Sequence, residues 1–222
     1  MPPQADRKSI EAVHPRRAGG TQAARRARSR TALLASAARG LSRYGYGNLT
    51  LEAVAQEAGY TRGALYHQFC GKQELTLAVI EWLMNSWDQE VLPQVEAEPE
   101  PVAALLTLAR EHSVFCRRGT ARIGVSLRLE FTGRDHPVGR AVEAAYDELV
   151  GLCRGLIAAG RRQGTIPPGP PDTTVAHAFV GALEGSVIAL ADHAPHDELF
   201  AVRTAAGVLG LDPQTGYLGE SW

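Results

Sequence analysis

Arg62, Gly63, Tyr66 and His67 are crowded into the stretch AGYTRGALYHQF, residues 58–69. Wound into a helix, they fall on one side, because positions three and four apart are neighbours there. That side offers a guanidinium, a gap, a phenol and an imidazole. The guanidinium fork matches the paired acceptors on the major-groove edge of guanine. Gly63 lets backbone approach closely. The Tyr66 hydroxyl, and those of Thr50 and Thr61 at helix starts, suit phosphate oxygens, as does the Lys72 ammonium. Each residue also has an ordinary reading: Tyr66 at the rim of a core, His67 in solvent, Lys72 as a surface charge. Their order after a capped helix and a glycine turn favours a nucleic-acid groove.

The elements around them are built to position them. Thr50 caps a helix whose apolar face is Leu51, Val54, Ala55 and Ala58, and Gly59 ends it. Thr61 caps the next helix, through about Gln68, which is barely two turns long. A helix this short is marginal alone, so Leu65 and Phe69, four apart, must anchor it. Before this pair, Leu33, Leu34, Ala37, Ala38 and Leu41 mark a helix from about Thr21 to Tyr44 that stops at GYGN, 45–48. After it, Gly71-Lys72 opens a fourth helix carrying Leu75, Val79, Trp82, Leu83 and Ser86, expected to stop before Pro93. The acidic, proline-rich 95–101 reads as a linker.

Beyond the linker the apolar spacing again predicts helices, over 102–118, 122–133, 136–164, 173–191 and 197–209. No segment alternates like a half-buried strand, so the fold class is all-α. Residues 1–20 read as a flexible arm, 21–75 as a helix-turn-helix domain, 76–212 as a second helical domain and 213–222 as a tail.

Bulk properties agree. The 222 residues suffice for a substantial core, with 45% hydrophobic and 21% charged residues. Net charge is −1, yet residues 1–80 hold 12 basic against 5 acidic side chains, and the rest 11 against 19. A basic front on an acidic body suits a polyanionic partner, or simply a basic tail. Cys70, Cys116 and Cys153 are too widely spaced for a zinc site or disulfide frame, which fits a reducing cytoplasm. No signal-peptide core appears, and the longest apolar run, TTVAHAFVGALEGSVIALA, is broken by His177 and Glu184, so no membrane partner is expected. Arginine outnumbers lysine 21 to 2, a hint of a high-GC bacterial genome.

The stretch from Arg30 to Leu77, with LTLEAVAQEAGYTRGALYHQFCGKQEL at its heart, resembles the DNA-binding domain of the TetR family of bacterial transcriptional regulators. The likeness is carried by LSRYGYGNLT, VAQEAG, TRGALYHQF and GKQEL; Tyr60, where a small aliphatic is commoner, departs from it. By that resemblance DNA-contact roles fall on Thr50, Thr61, Arg62, Gly63, Tyr66, His67 and Lys72. Arg25 and Arg28, with Arg26 and Arg30, lie before or early in the first helix, either as an arm reaching the minor groove or phosphates or as solvated charges.

For residues 98–212 the resemblance implies an effector-binding, dimerising domain. The apolar 173–191 helix, with Ala176, Gly181, Ala182 and Gly185, suits close helix packing, so 173–191 and 197–209 are expected to form a homodimer interface; a central helix of a monomer is the other reading. An effector pocket is expected among the helices of this half. Its candidate polar lining is Trp87, His112, Cys116, Glu130, Tyr146 and His177, each of which also has a packing role open to it. Glu130, for instance, can pair with Arg134. No residue set suggests a metal, cofactor or catalytic centre, which ranks an all-α enzyme last. The expectation is a repressor binding palindromic operator DNA and released by a small, largely apolar effector. The alternative is a same-fold DNA-binding protein governed by a protein partner or acting architecturally.

Overall fold

The computed structural model describes residues 21–119, 122–190 and 193–211. The arm expected over 1–20 and the tail over 213–222 lie outside the described residues. Every regular element among the described residues is a helix. Near the N-terminus stand α1 (Gln22–Asn48), α2 (Leu51–Glu57) and α3 (Arg62–Tyr66), followed by α4 (Lys72–Glu90). The remainder is α5 (Leu92–Glu96), α6 (Pro101–Cys116), α7 (Arg122–Phe131), α8 (Pro137–Gln163), α9 (Asp172–Leu190) and α10 (His196–Val208).

Capping explains the starts. The hydroxyls of Thr21, Thr50 and Thr61 accept the N–H groups of Ala24, Ala53 and Ala64 at 3.3, 3.3 and 3.2 Å. Two boundaries differ from expectation. The first helix runs past Tyr44, but Gly45 (φ 73°, ψ 175°) breaks its path, so 46–48 form a separate last turn. Pro93 does not end the helical run. It sits in the first turn of α5, where proline's missing N–H costs nothing, and the linker shrinks to the few residues before Pro101.

Two apolar clusters form. One joins α1–α4, through Leu33, Leu41, Leu65, Phe69, Leu75 and Val79, to Ile123, Leu127 and Phe131 of α7 and Val138 and Val142 of α8. The other joins the end of α4 and α5 to α6, the later part of α8, α9 and α10 around Leu105, Leu108, Ile157, Phe179 and Leu183. Tyr146 packs against both. The first cluster therefore reaches well beyond residue 75: α7 and the first turns of α8 are packed into it.

By length and composition α9 reaches the range of a membrane-crossing helix. Its Val175, Phe179, Val180, Leu183 and Val187 are nonetheless buried in the second cluster, and it packs on α8 and α10. Ala176, expected at an outer helix contact, is fully buried within the protomer, whereas Gly181 and Gly185 are exposed.

Candidate nucleic-acid interface and effector cavity

The five-residue α3 is held from below. Leu65 and Phe69 are 0% and 1% exposed. The Arg30 guanidinium lies 4.7 Å over the Phe69 ring, and Gln68 Nε2 donates to Ser29 Oγ at 2.9 Å, so α1 supports both side chains that follow the helix. With its inner face fixed, the helix presents Arg62, Gly63, Tyr66 and His67 to solvent. Arg62 Nη1 pairs with Glu52 Oε1 at 2.9 Å, its Nη2 donates to the Tyr66 hydroxyl at 3.4 Å, and its guanidinium lies 5.3 Å over the Tyr66 ring. Exposed contacts of this kind contribute little, so they can be exchanged for acceptors on a nucleic acid. Nothing crowds Gly63: an added Cβ would meet only Thr61 Oγ1, at 3.9 Å. Arg25 and Arg28 are exposed in the first turns of α1, with Arg28 Nε donating to the Ala24 carbonyl.

Lys72 is differently placed from a free surface charge. Its ammonium donates to the carbonyls of Tyr46 and Gly47 at 2.9 and 3.1 Å and lies 4.6 Å over the Tyr46 ring. Two of its three hydrogens thus close the end of α1, and one remains for a phosphate.

Glu130 stands outside the cavity. Its carboxylate accepts the N–H groups of Tyr46 and Gly47 at 2.8 and 2.7 Å, rather than pairing with Arg134. The side of α7 that it occupies meets α1, while Ile123, Gly124, Val125 and Leu127 supply the cavity wall. His177 is also outside. It is exposed on α9, one turn before the stretch Val180–Val187 that lines the cavity, and its Nδ1 contacts the Thr173 carbonyl at 2.7 Å.

The cavity has a volume of about 140 Å³ and lies between α4, α6, α7, α8 and α9. Most of its wall is apolar, including Ile80, Leu83, Met84, Phe115, Leu149 and Val187. Four of the sequence candidates meet there: Trp87, His112, Cys116 and Tyr146. Trp87 Nε1 donates to His112 Nδ1 at 3.1 Å, which leaves the ring proton on Nε2, 3.5 Å from Cys116 Sγ. Burial pushes His112 down to about 4 and the Cys116 thiol up to about 12. Both are neutral and neither thiol nor imidazole is primed for catalysis.

Glu184, which in the sequence marks only a break in an apolar run, is a cavity residue. A lone carboxylate within such a run was the available signal. It lies beside the Tyr146 phenol, whose proton it holds more tightly, after burial, which does so most. Its Oε2 is 3.6 Å from Arg128 Nη1, and Arg128 in turn stacks 4.3 Å over the Tyr146 ring and bonds Glu143. Glu184 Oε1 is buried and accepts no hydrogen bond among the described residues.

Comparison with known proteins follows the same division. Residues 33–79 match the family model described as bacterial regulatory proteins, tetR family. The A-factor receptor protein of Streptomyces griseus is 28% identical over 118 residues, covering 51% of this chain and 41% of that protein; the match thus spans about two fifths of its length. Among solved structures, AibR in complex with isovaleryl coenzyme A and operator DNA superposes with TM-score 0.68 at 21% identity, over 83% of this chain and all of that one. SCO4454, a TetR-family transcriptional regulator from Streptomyces coelicolor, gives 0.69 at 22% identity, over 83% and 95%. At these identities the structures establish the fold, while the matched segment contains the whole α2–α3 unit with its exposed arginine and tyrosine. The likeness to the tetR family of bacterial regulatory proteins is thus carried by the N-terminal domain, residues 33–79.

Proposed function

We propose that the chain is a ligand-responsive transcriptional repressor, binding a palindromic operator as a homodimer and leaving it when a small, largely apolar effector fills the cavity. One observation carries this reading: two helices belong to both sites. α4 starts at Lys72, beside the turn that ends α1, and lines the cavity with Ile80, Leu83, Met84 and Trp87. α7 lines it with Ile123–Leu127 and ends near Glu130, bonded to that same turn. A molecule that favours one spacing of α4 and α7 shifts the population of α3 orientations. DNA contact is assigned to Thr50, Thr61, Arg62, Gly63, Tyr66, His67 and Lys72, with Arg25 and Arg28 flanking.

The dimer is assigned to the outer faces of α9 and α10. Ile188 and Phe200 are 59% and 46% exposed, and Gly181 and Gly185 stand beside open space. Burying such a face against a second copy removes apolar surface from water. Two copies then present two α3 helices to half-sites one DNA turn apart, about 34–36 Å, or a multiple of it. The relatives named above as an A-factor receptor and as a complex with isovaleryl coenzyme A and operator DNA support a small-molecule effector. A DNA-bound regulator works in the bacterial cytoplasm, and neither catalysis nor a cofactor is part of this reading.

The test is fluorescence anisotropy of the full chain on DNA from upstream of its own gene, with light scattering for the oligomer. Salt-sensitive binding of a dimer to a palindrome there, weakened by a small molecule, is the expected result. Binding that no small molecule alters would favour the reading without an effector.

A further inference from the structure

We infer that the cavity takes a compact, uncharged molecule with an apolar body of six to eight or so heavy atoms and one hydroxyl-type donor, which bonds Glu184 Oε1. The inference rests on the effector reading of this cavity and narrows it to a chemical class.

Size comes first. A cavity of about 140 Å³ is close to the ~150 Å³ engineered cavity that accommodates benzene. A long acyl chain overruns that space and leaves part of its length outside the cavity mouth. Polarity comes second. The wall is apolar apart from Trp87, His112, Cys116, Tyr146 and Glu184. Trp87 spends its one N–H on His112, and the His112 Nε2 proton points to Cys116 Sγ. Glu184 Oε1 is the buried acceptor left without a donor, and leaving such a group unmade is costly. The Tyr146 hydroxyl is already engaged with the Glu184 carboxylate, which leaves Oε1 as the free oxygen; it lies against the bare backbone of Gly124, where a Cβ would come within 3.3 Å.

Charge decides the rest. An acidic ligand would set a second carboxylate against Glu184, with no free cation lining the cavity among the described residues: Arg128 already faces Glu184 and Glu143. His112, buried, offers no positive charge at neutral pH. A cationic ligand would find Glu184 already paired and would otherwise be buried against hydrocarbon. A neutral alcohol or phenol satisfies Oε1 without either difficulty.

Four probes of matched shape separate these cases: benzyl alcohol, toluene, benzoate and benzylamine, titrated calorimetrically into the full chain without DNA. Benzyl alcohol should bind roughly tenfold to a hundredfold tighter than toluene and benzoate, and tighter than benzylamine. Glu184→Gln should narrow the gap between alcohol and benzoate by restoring benzoate binding. Benzoate or benzylamine binding as well as the alcohol, toluene matching it, or no probe binding would overturn the inference. Anisotropy on the upstream DNA is read separately. Alcohol binding that leaves DNA affinity unchanged would sink the release mechanism while the ligand class stands.

Discussion

Glu130 and Lys72 grip the same two residues from opposite poles. The carboxylate takes the N–H groups of Tyr46 and Gly47, and the ammonium takes their carbonyls. Gly45 takes a backbone angle (φ 73°) that favours glycine, and an added Cβ at Gly45 or Gly47 would crowd the Glu130 carboxylate at 3.2 and 3.3 Å. The Tyr46 ring adds edge contacts to Phe131 and His136, at 5.1 and 5.5 Å. A single turn thereby fastens α1 to α4 and α7.

Glu130→Ala leaves two backbone donors unpaired. Chemical denaturation should register a loss of roughly 1–3 kcal/mol. If the turn also transmits the effector signal, the variant should bind ligand normally yet show a smaller ligand-induced change in DNA affinity. Unaltered stability and unaltered coupling together would remove Glu130 from both roles.

Arg62→Ala separates reading from folding. The Arg62–Glu52 pair is exposed, so denaturation midpoints should barely move. Operator affinity should fall roughly tenfold to a hundredfold, and preference should relax at one base pair in each half-site. Anisotropy with single-base operator variants reads both.

Lys72→Ala should do something else. DNA of every sequence should bind more weakly, with the slope of log affinity against log salt shallower by about one unit. Because the ammonium also closes the end of α1, stability should drop by roughly 1–2 kcal/mol. A stability loss with an unchanged salt slope would make Lys72 purely a cap.

Leu65→Ala tests the support under α3. Removing a fully buried leucine should cost roughly 2–5 kcal/mol. DNA binding should vanish at temperatures where circular dichroism still finds α6, α8 and α9 intact.

His112 sets an acid limit. Its folded-state pKa is near 4, below the ordinary 6.5, so the unfolded chain takes up the proton first as pH falls. Its contribution is complete above about pH 6.5, declines between 6.5 and 4, and is lost below, for a total on the order of 3 kcal/mol. His112→Asn keeps an acceptor for Trp87 Nε1 and should flatten that part of the stability–pH curve.

The helical pattern was legible because apolar spacing, threonine caps and glycine stops all agree locally. The Leu65 and Phe69 anchors follow from the same spacing. What depends on distant partners was not. Lys72 reads as a surface charge until residues 46 and 47 arrive beside it, and Glu130 as a pocket acid until its side of α7 turns to α1. Periodicity is weakest in α9, apolar nearly all round, so the outward face of His177 and the cavity position of Glu184 could not be told apart. Pro93 misled in a simpler way, since proline begins helices as well as ending them.

The seat of Ile123, Leu127, Phe131, Val138 and Val142 among the N-terminal helices bears on protein engineering. A chimaera that splices residues 21–79 onto a foreign sensor leaves a greasy scar where α7 and α8 belonged, and should aggregate. A transplant that carries 122–142 along, in register with the borrowed reading head, gives the recipient a finished underside.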